Sequence, residues 1–274
     1  MSYATLLVYI NADHISKQLA SVAAGLADKF SAKLIGLSAL AVMPPVVAEG
    51  VLVVDNATEF DIAQMKAKLE QAGSTFRATV GSDRQTEWRS FLELPTESVI
   101  IEARCADLIV VEKNKASWDI HRTADNGSAI LGAGRPVLVV PTAVKSLAAD
   151  HIVVGWKDTR EARRAVYDAL PFLHEAKRVT IVEISEKDQM GAARHQVDDV
   201  VSYLARHRIR AEARIEAQLP GSTVADQITG LAVDEGADLL VTGAYGHSRL
   251  NEWVFGGMTH DLLTSSPICC LMSH

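Results

Sequence analysis

The chain has 274 residues and a mass of 29.6 kDa, room for one large domain or two modest ones at roughly 150 residues per domain. Its 48% hydrophobic and 22% charged content belongs to a globular protein with a sizeable core and excludes a disordered chain. A net charge of −7 argues against a sequence-independent nucleic-acid binder or a polybasic membrane-surface protein, although a local helix terminus can still hold a small anion.

In chain order, residues 1–10 lack the basic start and cleavage pattern of a signal peptide. The apolar stretch 37–54 is interrupted by Pro44, Pro45 and Glu49, so no membrane span is expected. Strands are predicted at 5–10, 32–40, 76–80, 108–111 and 137–140, with a helix at 58–71. The extra segment 41–56 reads either as a lid over a pocket or as a variable surface loop. A linker is placed at 143–150, dividing a unit 1–142 from a unit 151–274.

The second unit opens with a strand at 152–155, followed by a helix at 159–174 with Ala162, Ala165, Val166, Ala169 and Leu170 at helical spacing. A strand at 178–184, a helix at 192–206, an alternating strand at 211–217, a helix from Pro220-Gly221-Ser222 to 235 and a strand at 238–242 come next. After a glycine-rich loop, a short helix at 257–264 leads to a last strand at 268–272. Such alternation predicts an α/β fold, a parallel sheet with helices on both faces.

Residues 106–110, Ala-Asp-Leu-Ile-Val, return at 237–241 as Ala-Asp-Leu-Leu-Val, and at the same offset of 131 Pro136 falls on Pro267. The length is thus divided into two similar units. Cys105, Cys269 and Cys270 make an odd number, and adjacent cysteines on a strand point to opposite faces, so a reducing cytoplasm is expected rather than a structural disulfide.

The later unit carries Gly243-Ala244-Tyr245-Gly246, nine further residues, then Gly256-Gly257-Met258-Thr259. Glycines there either serve only the turn or let a ligand approach main-chain amides. Gly256 and Gly257 stand at a helix start, where free amides and the dipole favour an anion. Neither a G-x-G-x-x-G dinucleotide fingerprint nor a P-loop is present.

This G-x2-G-x9-G loop, with residues 237–243, Tyr245-Gly246-His247-Ser248 and the closing 267–274, resembles the universal stress protein family, and the likeness covers the whole chain as a tandem pair. The resemblance implies two tandem Rossmann-like units of the HUP type, each a five-stranded parallel sheet. It also implies ATP, or ADP or AMP, as ligand, with Mg2+ accompanying the nucleotide. Carried over, Gly243 and Gly246 would follow the ribose and phosphates, and Gly256, Gly257, Met258 and Thr259 would hold the phosphate tail. Trp156, Asp158 and Ile184 would surround the adenine, with His247 and Ser248 flanking the phosphates as loop residues. Two positions depart from the family: Gly257 stands where it has Ser or Thr, and Lys157 where many members have Asp.

At the offset of 131 the first unit has Glu112 and Lys115 for Gly243 and Gly246, and Asp125 and Asn126 for Gly256 and Gly257. An acidic group there repels phosphate, so the first unit is expected to bind no nucleotide in this manner. The resemblance implies that it pairs with the second through strands 137–140 and 268–272, as an internal pseudo-dimer able to form a homodimer. No catalytic constellation and no zinc spacing occurs, so the expectation is binding rather than enzymatic turnover. An ATP hydrolase using Asp158, Glu252 or Asp261, and a ligand-free partner-binding protein, remain as alternatives.

Overall fold

The computed structural model describes residues 2–43, 46–48, 51–54, 58–82, 84–114, 119–245 and 257–274. The first half runs β1 (Thr5–Tyr9), α1 (Lys17–Phe30), β2 (Lys33–Ala39), β3 (Val46–Ala48), β4 (Val51–Val54), α2 (Glu59–Val80), β5 (Thr86–Phe91), α3 (Pro95–Glu102), β6 (Leu108–Glu112), α4 (Asn126–Gly132) and β7 (Val137–Val140). The second runs β8 (His151–Gly155), α5 (Arg160–Asp168), α6 (Leu170–Glu175), β9 (Arg178–Ser185), α7 (Met190–Arg206), β10 (Glu212–Ala217), α8 (Val224–Asp234), β11 (Leu239–Gly243), α9 (Gly257–Ser265) and β12 (Cys269–Ser273).

One ten-stranded sheet has the order β10-β9-β8-β11-β12-β7-β6-β1-β2-β5. Each half is a parallel five-stranded set, and in both the strand order reverses beside the first strand, between β8 and β11 and between β1 and β6. The halves join through β7 and β12, which run antiparallel with Val137 opposite Met272 and Val139 opposite Cys270. All four residues of β7 are at most 2% exposed. Each such apolar side chain contributes about 1.5–3 kcal/mol by burial, so the seam is part of the core.

Helix α1 shows how sequence sets these elements. Ser16 caps its start by accepting from the Leu19 amide, Leu19, Val22, Ala23, Leu26 and Phe30 bury one stripe, and Ser31 ends it in the left-handed region at φ 54°. No helix among the described residues is long and apolar enough to cross a membrane.

Two expectations in the first half are corrected. The strand expected at 76–80 is the last turn and a half of α2, which continues from a Thr58–Asp61 capping box to Gly81 at φ 80°. Gly73, in a stretch that resembles a loop, lies inside this helix because β5 crosses close to it: a Cβ there would lie 2.6 Å from Trp88 Nε1. Leu69, Ala72, Phe76 and Val80 then form the buried stripe, and the third strand of the half is β5. The second correction concerns 41–56, whose described part is not wholly irregular: β3 and β4 form an antiparallel ribbon outside the main sheet. In the second half the helix expected over 159–174 is two helices, α5 and α6, with Pro171 at the start of the latter.

Candidate functional site

In open α/β sheets ligands sit beyond the carboxyl ends of the strands at the point where strand order reverses. In the second half this is where β8 and β11 end side by side. β8 leads into Trp156-Lys157-Asp158, and Thr159 caps α5 by accepting from the Ala162 amide at 3.2 Å. The Trp156 amide donates to Val182 O at 2.8 Å, which ties this turn to β9.

Trp156 is buried at 8% exposure, and its indole Nε1 has no hydrogen-bond partner among the described residues. Beside it, Glu183 near the end of β9 is equally buried, and its Oε2 is also without a partner among them. Burial pushes the Glu183 carboxyl above its ordinary value; Lys157 opposes the rise and Asp158 adds to it. A buried donor and a buried acceptor left unsatisfied are each costly, so together they mark a place suited to a ligand with the complementary groups. Sequence reasoning missed Glu183. Its signal was a charged residue inside the apolar run Ile181-Val182-Glu183-Ile184, and the interior of a strand buried on both faces has little reason to carry one.

The other nominated residues lie around the same edge. Asp158 is exposed and paired with Arg163 at 2.6 Å, so its carboxylate is turned to a protein cation. Lys157 is exposed. Ile184 and Met258 are partly buried and pack, with Tyr245, against the core on the α8 and α9 face, whereas Trp156 belongs to the cluster on the α5 and α7 face. Thr259 is buried, and its Oγ1 accepts from the Tyr245 amide at 3.2 Å, holding the end of β11 to the first turn of α9.

The two described glycines differ. A Cβ on Gly243 would lie 2.5 Å from Ala162 N and 2.6 Å from the Glu161 carbonyl carbon, so this glycine lets the first turn of α5 close onto the end of β11. Its absent side chain is thus accounted for by packing. A Cβ on Gly257 would meet nothing within 4 Å among the described residues. Gly246, His247, Ser248 and Gly256 lie outside the described residues.

The thiols of β12 take no part in this edge. Cys269 and Cys270 are free and buried on opposite sheet faces, and burial raises them to about 12 and about 11. No group of three or more His, Cys, Asp or Glu among the described residues is placed to hold a metal ion.

The universal stress protein family model matches residues 148–274. No curated protein matches the chain. Among solved structures, a universal stress protein from Archaeoglobus fulgidus superposes with a TM-score of 0.72 at 14% identity, over 98% of this chain and 97% of that one. A putative universal stress protein from Pseudomonas aeruginosa superposes with a TM-score of 0.58 at 15% identity, over 99% of this chain and 93% of that one. At these identities the likeness establishes a shared fold along the whole length.

Proposed function

Because residues 148–274 are a universal stress protein domain, we propose that this half binds an adenine nucleotide, ATP foremost, and acts in a stress response through occupancy rather than turnover. The observation that carries the reading is the buried pair of unsatisfied groups at the ends of β8 and β9, Trp156 Nε1–H as donor and Glu183 Oε2 as acceptor. An adenine edge offers an amino donor and a ring-nitrogen acceptor, the two groups this pair lacks. The first turn of α9 supports the placement of phosphates, since a helix start offers free amides and a Cβ at Gly257 would meet nothing within 4 Å among the described residues.

This chain's residues would bind and orient. Trp156 and Glu183 would take the base, Ile184 would pack against it, and Thr259 would keep the first turn of α9 in place through Tyr245. Gly243 would hold α5 closed beneath the ligand, while Gly246, His247, Ser248 and Gly256 would complete the phosphate loop. Mg2+, where present, would be held through the phosphates, because Asp158 is already paired with Arg163.

The test is calorimetric titration of the full chain with ATP, ADP, AMP and GTP, alongside mass spectrometry of protein purified without added nucleotide. Saturable ATP binding that weakens in Glu183→Leu supports the reading. No heat and no thermal shift at millimolar nucleotide overturns it, and tighter GTP binding overturns the base assignment. A single-turnover hydrolysis assay checks the second part: appreciable phosphate release refutes action by occupancy alone.

A further inference from the structure

The first half also keeps an open crevice at its own strand-order reversal, of about 390 Å3, at the carboxyl ends of β1 and β6. That volume falls in the range of small-molecule sites, roughly 300–1,000 Å3. Its polar lining comes from Tyr9, Ser16, Glu112, Asn114 and Asn126, together with the hydrogen-bonded pair Asn11 and Thr123 and the exposed His14.

The internal hydrogen bonds determine what this lining can offer. Ser16 Oγ donates to Glu112 Oε1 at 2.6 Å, which orients the carboxylate. The Asn114 side-chain amide donates to Ala124 O at 3.1 Å, and the Asn126 amide donates to Glu112 O at 3.0 Å. Each amide nitrogen places one of its two N–H groups on a main-chain carbonyl, while the two amide oxygens and Glu112 Oε2 receive no donor among the described residues. Tyr9 is 5% exposed, and its hydroxyl is without a side-chain partner among them.

Lys68, Arg122 and Lys113 are engaged elsewhere. Asp13 takes Lys68 at 2.6 Å and Arg122 at 2.8 Å, and Lys113 donates to Ser266 O at 2.9 Å across the seam. Asp125, which precedes the lining residue Asn126, is occupied in capping α4, accepting from the Ser128 amide at 2.7 Å. Glu112 is the one carboxylate of the lining, and no Lys or Arg among the described residues belongs to it, His14 being its one basic side chain, so its fixed charge is negative where a phosphate site would have positive charge.

We propose that this crevice is a binding site of its own, for a small organic cation such as an amine or guanidine rich in N–H donors. Glu112 supplies the counter-charge, and the Asn114 and Asn126 oxygens accept the remaining donors. The inference does not rest on nucleotide binding in the second half.

Agmatine is the probe, titrated calorimetrically into the full chain with myo-inositol and inorganic phosphate as comparisons. Saturable agmatine binding is expected, weakened about tenfold or more by Glu112→Gln through loss of a charged hydrogen bond. Asn114→Lys, which places a cation on a partly exposed position of the lining, is expected to abolish it; circular dichroism confirms that each variant is folded. Absence of saturable heat at 10 mM agmatine (about the weak limit of a specific site), undiminished affinity in both variants, or tighter binding of inositol or phosphate overturns the proposal.

Discussion

Gly243→Ala tests why a glycine closes β11. The added methyl carbon would sit 2.5 Å from Ala162 N and 2.6 Å from the Glu161 carbonyl carbon, both backbone atoms, so no side-chain rotation relieves the contact and α5 must move off the strand. Gly243 is absent from the glycines with positive φ, so the whole cost is steric. Overpacking a core typically costs about 1–3 kcal/mol, and contact with rigid backbone belongs at the upper end, about 2–3 kcal/mol. For a chain of this size that lowers Tm by about 5–10 °C. The control is Gly257→Ala, where a Cβ meets nothing within 4 Å among the described residues and alanine suits a helix better, so Tm should change by no more than about 2 °C, upward if at all. Thermal melts followed by far-ultraviolet circular dichroism read both. A Gly243→Ala protein as stable as the parent, or a Gly257→Ala protein that falls as far, would refute the assignment of Gly243 to close packing.

Three further outcomes are expected. Because burial raises the Glu183 carboxyl, ionising it opposes folding: any stabilising share is present below its ordinary value of 4.5 and is lost as pH rises through the folded value. Glu183→Gln should therefore raise the urea midpoint at pH 8 with little gain at pH 4, and a uniform gain across pH would contradict this (about 4 and 8 chosen to straddle the ordinary carboxyl range). Asp13 behaves in the opposite sense: burial pushes its carboxyl up, but hydrogen bonds from Lys68 and Arg122 outweigh this and hold it below its usual 3.8, so its contribution fades as the solution is acidified. Asp13→Asn should cost about 1–2 kcal/mol at neutral pH and less in acid, read from urea unfolding. With Cys105 exposed and the other two thiols buried, Ellman's reagent should titrate one thiol rapidly in the folded chain and all three only after unfolding; rapid reaction of Cys269 or Cys270 would show that β12 opens.

Much of the second half could be read from sequence because its inner strands are buried on both faces and appear as unbroken apolar runs such as Ile152-Val153-Val154 and Leu239-Leu240-Val241. The same reasoning fails at β5. As the outermost strand it carries Glu87 and Arg89, which pair with each other, so it lacks an apolar run, while the β-rich letters of 76–80 belong to a helix whose partners come from distant sequence. Gly73 has a comparable explanation: only the later Trp88 makes sense of a glycine there. At the candidate site the local motif falls at the edge where the strand order reverses, but one of its glycines has two meanings. Gly243 fits both a ligand-binding loop and the close approach of α5, and only three-dimensional contacts separate them. Glu183 went unnoticed although its neighbour Ile184 was nominated, because its lack of a hydrogen-bond partner shows only in three dimensions, where it stands beside Trp156.

The antiparallel seam between β7 and β12 has a consequence for how the two halves can differ. A pair of identical chains joined through the same strand would be related by a two-fold axis, and any residue placed in one crevice would appear in the other. Joining both partners within one chain, with only residues 141–150 between β7 and β8, removes that constraint and keeps them together at any dilution. Gly243 at one reversal and Glu112 at the other are compatible only under this arrangement. The chain can carry two unlike crevices in fixed one-to-one proportion, so each is free to change while the sheet that supports both stays intact.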